Sequence, residues 1–208
     1  RMGQNSLHMV ATALLPKSVQ ALLQNPRIDR SVKNRLGDNA LVAAIKTAMI
    51  KGDGSETAVI DTCKHLLDFG QSPNERNHEQ LNALHYCLSG ELNESLEYAL
   101  VSLLLQFNTQ DLPDNEGYNA ISKASKNSSL KTFELLLNTD AFEPHQDALH
   151  HVCESSRADV FGLVEENRII VENKKMEMFM LLMQKDYSID QKNHLTFSCH
   201  NVVQYGPV

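Results

Sequence analysis

One short phrase recurs four times in this chain: Asn39-Ala40-Leu41-Val42, Asn82-Ala83-Leu84-His85, Asn119-Ala120-Ile121-Ser122 and Asp147-Ala148-Leu149-His150. Repetition at this spacing constrains the fold more than any other feature. A unit of that size cannot bury its own apolar face and has to stack on its neighbours. Each copy opens with Asn or Asp, whose side-chain oxygen accepts an orphan N–H at the start of a helix. A small residue and an aliphatic one follow, and apolar positions continue at helical spacing, as in Leu84, Cys87 and Leu88. Each phrase therefore predicts the start of a short helix.

A second phrase follows each first one: Cys63-Lys64-His65-Leu66-Leu67, Ser102-Leu103-Leu104-Leu105, Phe133-Glu134-Leu135-Leu136-Leu137 and Phe179-Met180-Leu181-Leu182-Met183. These runs are apolar on most sides and predict second, more buried helices. The chain then meets Gly70, Asn108, Asp140 and Asp186, residue types that tolerate the left-handed turn ending a helix. A related run, Val19-Gln20-Ala21-Leu22-Leu23, is read as a second helix with no first phrase before it.

Helix, loop, helix, left-handed stop and connecting segment, repeated, resemble the ankyrin repeat. The third unit carries the closest match. Asp114-Asn115-Glu116-Gly117-Tyr118-Asn119-Ala120-Ile121 stands where the family has D-x-x-G-x-T-P-L, and Ala124 and Leu135-Leu136-Leu137 follow in place. His85 and His150 match the histidine of T-P-L-H, whose ring in the family bonds the backbone of the adjacent hairpin. The resemblance covers about residues 18–190 and implies an all-α, ankyrin-type solenoid of stacked helix pairs with hairpin-like connecting loops.

The pattern departs from the family in two ways. Asn stands for Thr, which keeps the cap, and Ala for Pro, which loses a preset φ but keeps helix propensity. The first, second and fourth units are also longer than the third, with surplus residues between the two helices around 51–57, 91–98 and 157–173. Loop closure costs grow slowly with length, so a stacked core tolerates such insertions. The expected divisions are a cloning scar at 1–9, where His8-Met9 is what a common cloning site encodes, and a capping half-repeat at 10–36. Repeats follow at 37–76, 77–113, 114–143 and, with the insertion, 144–191, then a partial unit at 192–208.

Charge and composition remove several function classes. The net charge of −7 argues against a nucleic-acid backbone as ligand, since counterion release needs clustered cations. The basic group Arg27, Arg30, Lys33 and Arg35 reads as a solvated face. No apolar run approaches the length that spans a bilayer. Cys63, Cys87, Cys153 and Cys199 form no C-x-x-C, and with no signal peptide apparent a reducing, cytoplasmic compartment is expected. His145, His150, His151 and Cys153 could suggest a metal cluster, and His85 with Cys87 a thiol nucleophile. The repeat pattern already explains most of these positions, so no metal, no cofactor and no enzymatic activity are expected. Gly52-Asp53-Gly54 lacks the lysine of a phosphate loop, and the methionines at 176, 178, 180 and 183 read as flexible core.

The resemblance implies binding of a protein partner in the groove between hairpin tips and inner helices. The variable groove positions by this alignment are Arg35, His78, Glu79, Asn115, Glu116, Tyr118 and Lys126, with Tyr118 as the aromatic anchor. Asn74 matches the asparagine that ankyrin proteins offer to the asparaginyl hydroxylase of host cells, although Pro73 replaces the usual Val or Ile. Uneven, Asn-rich units also resemble those of effectors that intracellular bacteria deliver into the host cytosol. The functional expectation is an interaction module or effector adaptor. The alternative is the targeting domain of a larger enzyme whose catalytic part lies outside this chain.

Overall fold

The computed structural model describes residues 3–51, 55–139, 142 and 165–184, all helix and loop with no strand among them. The chain divides into two compact units, Arg1–Tyr118 and Asn119–Val208.

In the first unit the helices come in pairs. They are α1 (Ser6–Thr12) with α2 (Pro16–Leu23), α3 (Ala40–Lys51) with α4 (Glu56–Asp68), and α5 (Ala83–Cys87) with α6 (Glu94–Leu105). α1, α3 and α5 pack side by side as an inner row, and α2, α4 and α6 as an outer row. The interface between rows is aliphatic: Leu7, Val19, Leu23, Leu41, Ile45, Cys63, Leu66, Leu84, Cys87, Leu88, Leu100 and Leu104 are all buried. Each such leucine contributes about 1.5–3 kcal/mol by leaving water, which is why single short helices hold once stacked.

The recurring phrases start helices as expected. Asn39 Oδ1 accepts from Val42 N at 2.9 Å, and Asn82 Oδ1 from His85 N at 3.1 Å. The stops at Gly70 (φ 92°) and Asn108 (φ 58°) are left-handed. Surplus residues in the first and second of these repeats are absorbed largely as helix, since α3 runs on to Lys51, α4 begins at Glu56 and α6 at Glu94.

Two expectations fail here. Residues 5–9 are part of the fold: Asn5 caps α1, and Leu7 and His8 are buried. α1 supplies the first helix that the sequence reading left missing before Val19, so 10–36 is not a half-repeat on its own. Arg30 is no solvated cation either. Its guanidinium donates to Leu23 O at 2.7 Å and Phe69 O at 3.2 Å and lies 5.6 Å from the Phe69 ring centroid. A forked cation can close two helix ends at once while stacking on an aromatic face, which charge counting cannot anticipate.

The second unit contains α7 (Ala120–Asn127), α8 (Leu130–Leu137) and α9 (Glu165–Gln184). α8 packs on both α7 and α9 around Ile121, Phe133, Leu136, Met178 and Leu182. Asn119 caps α7 by accepting from Ser122 N at 2.9 Å. Residues 165–173 are helical, so the insertion placed at 157–173 overlaps the start of α9. Among the methionines, Met178 is core while Met180 is exposed. Asp140, the phrase at 147–150, Pro144, His145, His151, Cys153, Asp186 and the partial unit at 192–208 lie outside the described residues, as does Gly52-Asp53-Gly54.

Candidate partner-binding surface

Three connecting segments of the first unit share one construction, here called fingers. Asn34, Asn77 and Asp114 each open a five-residue loop closed by a backbone bond from their N–H to the carbonyl four residues on, at 2.9 Å each time. The side-chain oxygen of each then accepts two further N–H groups. Asn34 takes Leu36 and Asp38, Asn77 takes Glu79 and Leu81, and Asp114 takes Glu116 and Tyr118, all at 2.8–3.0 Å. The fourth residue is left-handed in each: Gly37 (φ 81°), Gln80 (φ 61°) and Gly117 (φ 87°). Such Asx loops hold the second and third residues outward by satisfying the backbone from within.

The fingers are tied to one another. His78 N donates to Leu36 O at 3.0 Å, and Lys33 Nζ donates to Arg76 O at 3.1 Å. Arg76 Nη2 in turn donates to Pro113 O. Asn74 bridges the stops, donating to Asn108 O at 3.0 Å and accepting from Gln110 N at 2.8 Å.

Behind the first two fingers lies a polar network that sequence reasoning missed. Lys46 Nζ contacts both Asp38 oxygens, at 2.9 and 3.1 Å, and sits 4.6 Å from the Tyr86 ring centroid. Asn77 Nδ2 donates to Asp38 Oδ1 at 2.8 Å and Tyr86 Oη at 2.7 Å, and Tyr86 Oη donates to Glu79 Oε2 at 3.1 Å. Asp38 is 1% exposed, so its charge needs these partners. Burial is the largest single influence on the Lys46 ammonium and works against it, but the hydrogen bonds and charges of Asp38 and Tyr86 together outweigh it and hold the group above the ordinary lysine value. Burial pushes the Tyr86 phenol up.

The histidine of the second phrase behaves as the resemblance implies. His85 Nδ1 accepts from Asn82 N at 3.1 Å, and Nε2 lies 3.0 Å from Leu112 O on the approach to the third finger. His8 holds the corresponding place at the start of the chain with a different Nδ1 partner, the Asn5 side-chain Oδ1 at 2.7 Å instead of a backbone N–H, and with Nε2 likewise 3.0 Å from a carbonyl, Asp38 O. Asn5-Ser6-Leu7-His8 is thus a further copy of Asn82-Ala83-Leu84-His85, legible in the sequence.

The family described as "Ankyrin repeats (3 copies)" matches residues 54–148. That stretch is similar in sequence to ankyrin repeats. Similar solved structures share the fold at low identity. The ankyrin repeat domain of Bcl-3, a member of the IkappaB protein family, is 16% identical, with a TM-score of 0.67, 99% of this chain covered and 88% of that one. The ankyrin repeat protein EF0377 is 17% identical, with a TM-score of 0.57 and coverages of 86% and 96%. The human ASB11 ankyrin repeat domain is 16% identical, with a TM-score of 0.52 and coverages of 92% and 88%. No curated protein matches the sequence.

Arg35, His78, Glu79, Asn115 and Glu116 are exposed at the second and third finger positions, and Tyr118, ending the third finger, is half-buried. Lys126 is exposed near the end of α7 in the second unit. Ankyrin repeats are generally protein–protein interaction modules and typically non-catalytic. Cys87 agrees with the latter: it is fully buried, and desolvation holds its thiol well above the ordinary value, with Cys63 pushed up to about 12. Neither supplies thiolate near neutral pH. Among the described residues no group of three or more His, Cys, Asp or Glu could hold a metal, and no helix is long and apolar enough to cross a membrane.

Proposed function

We propose that this domain binds a protein partner on the fingers of the first unit, along Arg35, His78, Glu79, Asn115 and Glu116, with Tyr118 as an anchor. Lys126, exposed in the second unit, is a separate candidate contact. One observation supports the reading above the others. Three loops of identical internal bonding present their second and third side chains to solvent in one register. Recognition gains from such rigidity, because little loop entropy is lost on binding. An effector adaptor acting in a host cytosol would use this surface, and so would a targeting domain attached to an enzyme.

Photo-crosslinking residues placed singly at Leu36 and Asn115, and at Lys64 and Gln106 on the outer helices, test the reading in cell lysate. Adducts from the finger positions alone are expected, and Tyr118→Ala should weaken them by about 5- to 150-fold as a hot spot would. Leu136→Ala should lose binding only by unfolding. Adducts confined to the outer helices, or binding abolished by changes at 157–173 in a folded protein, would overturn it.

A further inference from the structure

Charge changes steadily from one finger to the next. The first has two exposed cations, Lys33 and Arg35, and its single carboxylate, Asp38, is buried and paired with Lys46. The second is mixed: Glu75 lies 3.7 Å from Lys33, Arg76 is bound to Pro113 O, and His78 and Glu79 are exposed. The third exposes Glu116, with Asp114 buried within its loop and Asp111 half-buried, and has no Lys or Arg between 111 and 118.

The third finger position is the sharpest reporter, because the same Asx bond orients it each time. It is Leu36, then Glu79, then Glu116. The second position changes in parallel, from Arg35 through His78 to Asn115. The gradient is carried by loops locked to one another through His78 N and Arg76 Nη2, so its polarity is fixed in the fold.

We infer that the fingers recognise a protein segment of opposite gradient, acidic where it meets the first finger and basic where it meets the third. This rests on the docking reading above. Opposite charges facing along the row set register and direction, and a segment of uniform charge meets repulsion at one end. Helices packed side by side repeat at roughly 8–10 Å, and an extended chain advances about 3.3 Å per residue, so every third residue of the segment meets a new finger. Direction along the row is therefore specified even though exposed charge pairs each add little affinity.

The probe is a synthetic peptide of about twelve residues with aspartates at one end, lysines at the other and a nitroxide beside the aspartates. An alternating-charge peptide of the same composition is the control. Bound to the intact chain, the graded peptide should broaden the amide resonances of residues 33–37 more than those of 114–118. Its affinity should fall with added salt, and Arg35→Glu should weaken it by about 2- to 5-fold. In the double variant Arg35→Glu/Glu116→Lys the broadening should move to 114–118, with an unchanged melting temperature showing the fold intact. No measurable binding of the graded peptide, equal binding of the alternating one, or broadening that stays at 33–37 in the double variant overturns the inference. In those cases finger-specific crosslinks would still uphold the docking reading, and their loss would remove both.

Discussion

A Cβ added to Gly37 would lie 2.7 Å from Cδ2 of the His78 ring and 2.8 Å from the His78 backbone nitrogen. The first finger can approach the second only because this side chain is missing, and Gly37 also has a left-handed φ of 81°. Gly37→Ala should cost about 2–4 kcal/mol, from backbone strain together with displacement of a backbone atom. Gly117 has a similar φ, but open space surrounds its would-be Cβ. Gly117→Ala should cost only about 1–2 kcal/mol. Denaturant melts of the two variants separate close approach from conformation.

Removing Lys46 would strand Asp38, a carboxylate 1% exposed. The Lys46 side chain is 25% exposed, so the pair is partly screened and Lys46→Ala should cost about 1–3 kcal/mol, below the range for a fully buried pair. Adding Asp38→Asn to that variant should recover part of the loss. A double-mutant cycle measures the coupling, and strictly additive losses would show that the pair does not interact.

The same network sets an alkaline limit. Lys46 and Tyr86 both titrate above their ordinary values in the fold. Their contribution is complete below the unfolded values, about 10 for each, and is lost as pH rises through the folded ones. Melting temperature should fall as pH climbs past about 10, and the fall should be shallower in Lys46→Met than in the parent.

Asn5 and His8 tie α1 to the chain behind it, through Asp29 O at 3.1 Å and Asp38 O at 3.0 Å. Asn5→Ala should cost about 1–2 kcal/mol through loss of the cap. Hydrogen exchange should then quicken first in α1 and at the Asp38 end of the first finger. An unchanged exchange pattern would mean that α1 contributes nothing to the stack.

Asn74 is the position where hydroxylation is expected from the family resemblance, yet both ends of its amide are bound, to Asn108 O and Gln110 N. A hydroxylase has to free the loop before it can reach the side chain. Mass spectrometry should find oxygen added at Asn74 slowly in the folded domain and faster as temperature approaches the melt. No addition even in unfolded protein would remove the site.

The repeats were legible in the sequence because their signals are local. An Asn whose oxygen caps a helix lies three residues from the N–H it accepts, as Asn39 does from Val42 and Asn119 from Ser122. The loop-opening Asn34, Asn77 and Asp114 likewise bond within four residues. Leu and Met at helical spacing mark buried faces by the same short-range logic, which named Leu66, Leu104 and Leu136 as core.

What tertiary structure alone decided involves residues far apart in the chain. Arg30 finds Phe69 39 positions away, and Asn77 finds Asp38 at the same separation. Lys46 stands one turn beyond the repeated phrase, where neighbouring residues do not show that an acid and an aromatic ring will converge on it. Residues 1–9 read as a cloning scar because His8-Met9 is what a common cloning site encodes, although Asn5-x-x-His8 has the cap and histidine of Asn82-x-x-His85. A cap is encoded by its immediate neighbours. A buried charge depends on what stacking brings against it, because only contacts made by the folded chain replace the water it loses.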